Sequence, residues 1–468
     1  MSTISGERQT VSGTVILLIA LMCGSMLLLK NGVYLFACVV TMFLIVLLLW
    51  RNYRPGILVF AFFMQWLQVI TYVVWMNARN ADINLLSPHA DIAVLMSCLG
   101  LLVMAAVVGK GIKGIEVPAR QYFVQEAAKI NERKILYLYL GSTLFLSSIG
   151  FIFGIASGAT QILITLSSLK WIFFLVYGSV AWINRKNRVI LAVMVVYEFT
   201  TSLYSYFSSF KFVILIVIVL ALTFITTVTF KQIVYGLMVA LLLGFLGVTW
   251  SAIKGDYRQY ISQGQRQQVV SVSREEALDK IGQQLSRLNS RNYELATMAT
   301  LYRLQYVYHL AKTMDRVPKV LPHENGKLWA DNLAFVLLPR FIFPDKPIFD
   351  ASQKTNKYTG LNYAGFSKGT SFGIGYFSDC YIDFGYAGMF IPLALIALFV
   401  VLVYRAYYRL SSLNIWFRYA LINVTLFNFT SFESDAIIVI GRLLITFLVF
   451  WVIARFLFPR LQTWLYKK

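Results

Sequence analysis

Histidine and cysteine are scarce, with three and four among 468 residues. His89, His309 and His323 are scattered, and no CxxC, HExxH or clustered His and carboxylate motif appears, so a metal held by protein ligands is not expected. Cys23, Cys38 and Cys98 fall inside apolar runs and only Cys380 can meet an oxidising compartment, which excludes a disulfide framework. Neither a Walker A loop nor a dinucleotide fingerprint is present, so no nucleotide and no cofactor is expected. Charge is also in short supply. Only 13% of residues are charged, 58% are hydrophobic and the mean hydropathy is +0.67, which excludes a water-solvated globular surface.

What the chain has instead is long apolar runs. Backbone amides in hydrocarbon must be satisfied within their own segment or by a closed barrel. Barrel strands alternate over about ten residues. The run Phe212 to Phe224 (FVILIVIVLALTF) does not alternate and reads as helix. Spans of roughly 20 residues are found near 12–29, 32–50, 56–76, 91–112, 135–157, 168–184, 189–207, 210–229, 232–252, 386–404, 415–432 and 436–454. The expectation is an all-α, polytopic integral membrane protein with twelve transmembrane helices. The first run is expected to stay, because its start is charge-poor and no small-residue cleavage site precedes Lys30.

Lys and Arg in alternate short loops set orientation. With the N-terminus inside, the inner loops collect Arg51, Arg54, Lys110, Lys113, Arg120, Lys129, Arg133, Lys134, Arg185, Lys186, Arg188 and Lys231, against Lys30, Arg79 and Lys211 outside. Both termini are therefore expected in the cytoplasm. Residues 1–252 form nine helices, 253–385 a large periplasmic loop and 386–468 the last three helices. Much of the net charge of +21 is then topological and attracts anionic membrane lipids, with no call for nucleic acid.

The loop is basic where that bias disfavours it, carrying among others Lys254, Arg258, Arg287, Arg291, Arg303, Lys327, Lys354 and Lys357, which suggests an anionic ligand. Residues 275–314 place Leu278, Ile281, Leu285, Leu288, Leu295 and Tyr302 at helical steps, so the loop is expected to contain amphipathic helices. Leu337 to Pro347 (LLPRFIFPDKP) sets Arg340, Asp345 and Lys346 among three prolines that stiffen the backbone. Gly369 to Gly388 (GTSFGIGYFSDCYIDFGYAG) follows, with Asp379 and Asp383 on one helical face as the chain re-enters the membrane. Carboxylates there are costly and read as functional, unless they pair with Arg418 or Arg442; Glu433 and Asp435 are further candidates.

The order of many helices, then Pro339-Arg340 and Lys346-Pro347, then Asp379, Tyr381 and Phe384-Gly385, resembles the Wzy-type oligosaccharide repeat-unit polymerases, the O-antigen polymerases of Gram-negative bacteria. The resemblance implies a GT-C-like, metal-independent glycosyltransferase of the bacterial inner membrane. It would transfer a glycan from undecaprenyl diphosphate to a hydroxyl of another lipid-linked repeat unit. Arg340, Lys346 and Asp379 are then the expected catalytic residues, cations at the diphosphate and a carboxylate for the proton. Arg258, Arg287, Arg291, Arg303, His309, Asp383, Arg418, Glu433 and Arg442 are the expected contacts to diphosphate or glycan. Partners that set chain length act on such polymerases. Two alternatives stand beside it: a ligase that moves finished glycan to a lipid core, which shares the helix count, the outside loop and the cationic clamp, and a flippase of lipid-linked oligosaccharide, which would put its cations in the helical core, where the few charged candidates are Lys170, Glu198, Arg418 and Arg442.

Overall fold

The computed structural model describes residues 10, 11, 13, 24–149, 160–203, 210–264, 271–338, 343, 349–365 and 371–466. Among these the chain is helical, apart from a two-residue parallel pairing of β1 (Thr10–Val11) with β2 (Thr227–Val228) and a single bridge between Ile130 and Tyr466. The first helices are α1 (Gly32–Leu49), α2 (Ile57–Ala78), α3 (Ala90–Gly111), α4 (Arg120–Lys129), α5 (Glu132–Ile149), α6 (Thr160–Ser167), α7 (Leu169–Asn184), α8 (Arg188–Leu203), α9 (Phe210–Phe224) and α10 (Phe230–Ile261). Then come α11 (Arg274–Ser286), α12 (Ser290–Leu304), α13 (Val307–Arg316), α14 (Lys327–Leu337), α15 (Ala351–Thr359) and α16 (Tyr376–Gly388). The last are α17 (Phe390–Tyr408), α18 (Ile415–Leu426), α19 (Ala436–Val452) and α20 (Phe458–Leu465).

Among the described residues, seven helical segments are long and apolar enough to cross a membrane: Gly32–Leu49, Ile57–Ala78, Ala90–Gly111, Gln161–Asn184, Phe230–Ile261, Phe390–Tyr408 and Ala436–Leu465. Twelve were expected. Most of the run at 12–29, and the ends of those at 135–157 and 189–207, lie outside the described residues. Phe210–Phe224 is apolar but shorter. The run at 415–432 differs for a physical reason. Its helix α18 is buried at nearly every position and ends in a 3-10 turn, Phe427–Phe429, and its Asn423 accepts from the Ile57 N–H at 3.3 Å. A helix sheathed by protein needs neither a full span nor an uninterrupted backbone ladder.

In the main core cluster α3 lies between α1 and α17, and α7 between α5 and α18, while Phe210, Trp250, Ile253, Tyr257, Ile261 and Ala277 form a second, smaller cluster. The segment expected to be amphipathic is helical in three pieces. Reciprocal capping by Ser273 with Glu276 and by Asn289 with Asn292 starts α11 and α12 afresh. Helix α13 then lays Val307, Leu310, Ala311 and Met314 against the bundle, chiefly on α3. Helices α14, α15 and α16 are thereby held at one end of the bundle, beside the start of α19.

Candidate functional site

Three segments meet around one ammonium group. Asp350 starts α15 by accepting from the Ser352 and Gln353 N–H groups at 3.0 and 3.2 Å, which orients Lys354 inward. Lys354 Nζ lies 2.7 Å from Asp379 Oδ1 and 3.1 Å from Asp435 Oδ2. The second Asp379 oxygen accepts from the Ala436 N–H at 2.8 Å, at the start of α19. Asp435 Oδ1 accepts from Ile374 N–H at 2.7 Å and Gly375 N–H at 3.3 Å. This close approach explains the glycines before α16. A Cβ on Gly373 would stand 2.7 Å from the Glu433 carbonyl, and one on Gly375, where φ is +89°, 2.9 Å from the Phe432 carbonyl.

Asp379 and Asp435 are fully buried, so the cluster holds two carboxylates against one ammonium away from water. Burial pushes the Asp435 carboxyl up to about 6, with Lys354 pulling it down and Asp379 pushing it further up. Burial works against the Lys354 charge, but the two carboxylates outweigh it and hold that group above its ordinary value.

Lys354 also lines a cavity of about 580 Å³ between α14 and α15. Glu324, Asp331 and Asp350 supply carboxylates, Lys327 and Lys357 further ammonium groups, and Phe335, Phe349 and Tyr358 aromatic rings. The Tyr358 hydroxyl donates to Glu324 at 2.6 Å and, with Lys357 at 3.3 Å, holds that carboxyl below its ordinary range. Asp331 is exposed to the cavity and has no hydrogen-bond or ion-pair partner among the described residues. Arg340 and Lys346 lie outside the described residues, but Phe349, three positions after Lys346, is in the cavity wall.

The other sequence candidates are dispersed. Asp383 accepts from the Leu328 and Trp329 N–H groups at 3.2 and 2.7 Å, capping α14 from outside the helix. Burial raises its carboxyl against those bonds. Glu433 accepts from Gln68 at 2.6 Å, and Arg442 lies near enough to act on it electrostatically. His309 is stacked between Tyr306 and Tyr363, with Nε2 2.9 Å from the Tyr363 hydroxyl, and burial drops its imidazole to about 4. Arg418 donates to the Tyr408 carbonyl at 2.8 Å, on the far side of the bundle's core. Arg287, just past the end of α11, and Arg291, on α12, are exposed, and Arg258 and Arg303 gather with Lys254 and Lys211 away from the cavity.

Sequence reasoning passed over Lys354 and the polar pair Gln65 and Gln68. Gln65 donates to the Phe429 carbonyl at 2.7 Å and accepts from the Tyr376 hydroxyl, so with Gln68 it pins the re-entering chain to α2. Two glutamines three apart in an apolar run were the available signal, since polar groups at that depth need partners.

The family model described as "Domain of unknown function (DUF8712)" matches residues 10–407, a stretch that includes the whole cavity wall and stops short of Asp435. No curated protein and no solved structure matches the chain.

Proposed function

We propose that this chain, which belongs to the DUF8712 family of domains of unknown function, is a glycosyltransferase of the bacterial inner membrane. It polymerises undecaprenyl-diphosphate-linked oligosaccharide repeat units on the periplasmic side. The observation that carries this reading is the cavity, where ammonium groups, carboxylates and aromatic rings face one space, with Phe349, three positions after Lys346 in the sequence, in its wall. Sugars offer hydroxyls to carboxylates and apolar C–H faces to rings, as a mixed site of this kind requires.

The reaction makes matching demands. An acceptor hydroxyl attacks the anomeric carbon of a second unit, a C–O bond forms as the C–O bond to diphosphate breaks, the hydroxyl proton passes to a carboxylate and the lipid diphosphate leaves. Asp331, which has no partner among the described residues, takes the proton. Both Asp379 oxygens are engaged, so Asp379 acts by holding Lys354, whose ammonium stabilises the departing diphosphate. A charge pair near 4 Å is worth about 4 kcal/mol at an effective dielectric of about 20.

The two other readings find less support. A flippase needs free cations in the helical core, whereas Lys170 is paired with Glu198 at 2.6 Å and Arg418 is held by a carbonyl. A ligase using His309 as base needs that ring at the cavity, and it is buried elsewhere. The test uses membranes with matched protein levels and a lipid-linked repeat unit as substrate. Asp331→Asn should slow polymerisation roughly a hundredfold or more; a wild-type rate rules Asp331 out as base. Deleting the gene should leave surface glycan at a single repeat, and a bare lipid core would instead favour ligase or flippase.

A further inference from the structure

Helix α10 runs for 32 residues, and its two halves meet different surroundings. In the apolar half every residue from 233 to 242 is exposed, Val239 at 38% and Leu241 at 65% among them, and ten successive residues point all round the helix axis. The polar half packs on α11 and α12. An apolar helix left open on every side needs lipid around it.

Where the apolar half ends, cations from three helices converge. The Lys211 ammonium, from the start of α9, reaches the α10 backbone at Gly247, where a Cβ would stand 3.7 Å from its Nζ. Lys254 follows two turns later, and the charged groups acting on it are Arg303, Arg258 and Lys211, with no carboxylate among them. None of Lys211, Lys254 and Arg303 is in an ion pair among the described residues. Like charges so gathered repel one another unless an anion joins them. The cluster shares no residue with the cavity between α14 and α15.

We infer that Lys211, Lys254 and Arg303 bind the phosphate of an acidic membrane phospholipid whose acyl chains lie along the apolar half of α10. An amphiphile is the one ligand that answers both features, a bare apolar flank and an uncompensated cationic patch at its end. The flank is open to bulk lipid, of which acidic phospholipids are the standing anionic fraction. The inference does not depend on glycosyl transfer.

The test is lipid retention by the full chain in nanodiscs holding equal phosphatidylglycerol and phosphatidylcholine, read by native mass spectrometry after release. The wild type should retain phosphatidylglycerol over phosphatidylcholine by roughly 25-fold, and each cation removed should lower that ratio roughly fivefold. Lys254→Gln with Arg303→Gln should therefore bring it close to one. Thermal unfolding in phosphatidylcholine alone shows whether the double variant is folded; if it is not, Lys211→Gln, a change at an exposed side chain, supplies the reading. Equal retention of both lipids by the wild type, or an unchanged ratio in folded variants, overturns the assignment. Farnesyl diphosphate is the competing probe. Failure to displace phosphatidylglycerol at equal concentration supports a phospholipid site, and displacement overturns it in favour of a diphosphate site.

Discussion

Removing the Lys354 ammonium would leave Asp379 and Asp435 facing each other, both fully buried and without a counter-ion. Breaking a buried pair by deleting one partner costs about 3–5 kcal/mol, whereas replacing all members with neutral groups costs far less. Lys354→Met should therefore lower the unfolding temperature in detergent sharply, and Lys354→Met with Asp379→Asn and Asp435→Asn should recover much of the loss. No loss in the single variant would mean that the carboxylates are compensated elsewhere. Two neighbouring groups give stability opposite slopes with pH. Asp435 sits at about 6 in the fold against 3.8 unfolded, so its contribution is full below the lower value and is lost as pH rises to about 6. His309 sits at about 4 against 6.5, binds fewer protons folded than unfolded, and so adds stability as pH rises through that window. In the wild type the slopes oppose each other between about pH 4 and 6. Asp435→Asn should expose a rise with pH and His309→Gln a fall, measured as chemical or thermal unfolding from pH 4 to 7. At this scale Asp379 and Asp435 were legible in the sequence, because carboxylates beside apolar runs stand out. Lys354 was not, being one Lys in a loop full of them, distinguished only by what it touches.

Among the described residues, hydropathy located the seven helical segments long and apolar enough to span, because that signal is local. It missed what depends on neighbours. Helix α18 is a 12-residue helix sheathed by protein and continued by a 3-10 turn, and residues 275–314, whose apolar spacing suits one helix, are broken at the Asn289 cap and again after Leu304. Asn289 was visible as a capping type, but nothing local tells a cap from a polar residue on a continuous helix. The glycines before α16 were legible as positions of close approach, though not which carbonyls approach. They divide by environment. Gly375 has φ of +89° and a backbone oxygen 2.9 Å from where a Cβ would be, whereas Gly282, inside α11, has nothing within 4 Å. Gly375→Ala should destabilise by roughly 1–3 kcal/mol through backbone strain alone, and more through the clash. Gly282→Ala should stabilise α11 by about 0.5–1 kcal/mol. Unfolding temperature reads the first, and protection of α11 from limited proteolysis the second. Equal effects of the two changes would mean that the chain before α16 is free to shift away from Phe432.

For the molecule as a whole, the cavity and its buried cluster belong to residues 324–379 and 435, which pack at one end of the bundle beside α13 and the start of α19. No local pattern announces that assembly, because Asp350, Lys354, Asp379 and Asp435 come together only when three separate segments dock. The side of the membrane on which it stands rests on a different kind of signal, the excess of Lys and Arg in alternate short loops. That signal depends on the parity of crossings, and the premise is the nine crossings expected up to Phe230–Ile261, of which five are helical segments long and apolar enough to span among the described residues. Residues beyond that helix should therefore lie outside. An alkaline phosphatase joined after residue 300 should be active in intact cells and a fluorescent protein at the same point dark, while fusions after residue 186 should give the reverse pattern. The consequence reaches the chemistry. Polymerisation in the periplasm requires the cavity to meet repeat units already moved across the membrane, so fluorescence after residue 300 would place Lys354 and Asp331 on the wrong side and remove the polymerase reading. The buried cluster and the cationic end of α10 would stand unchanged, since neither depends on which leaflet they face.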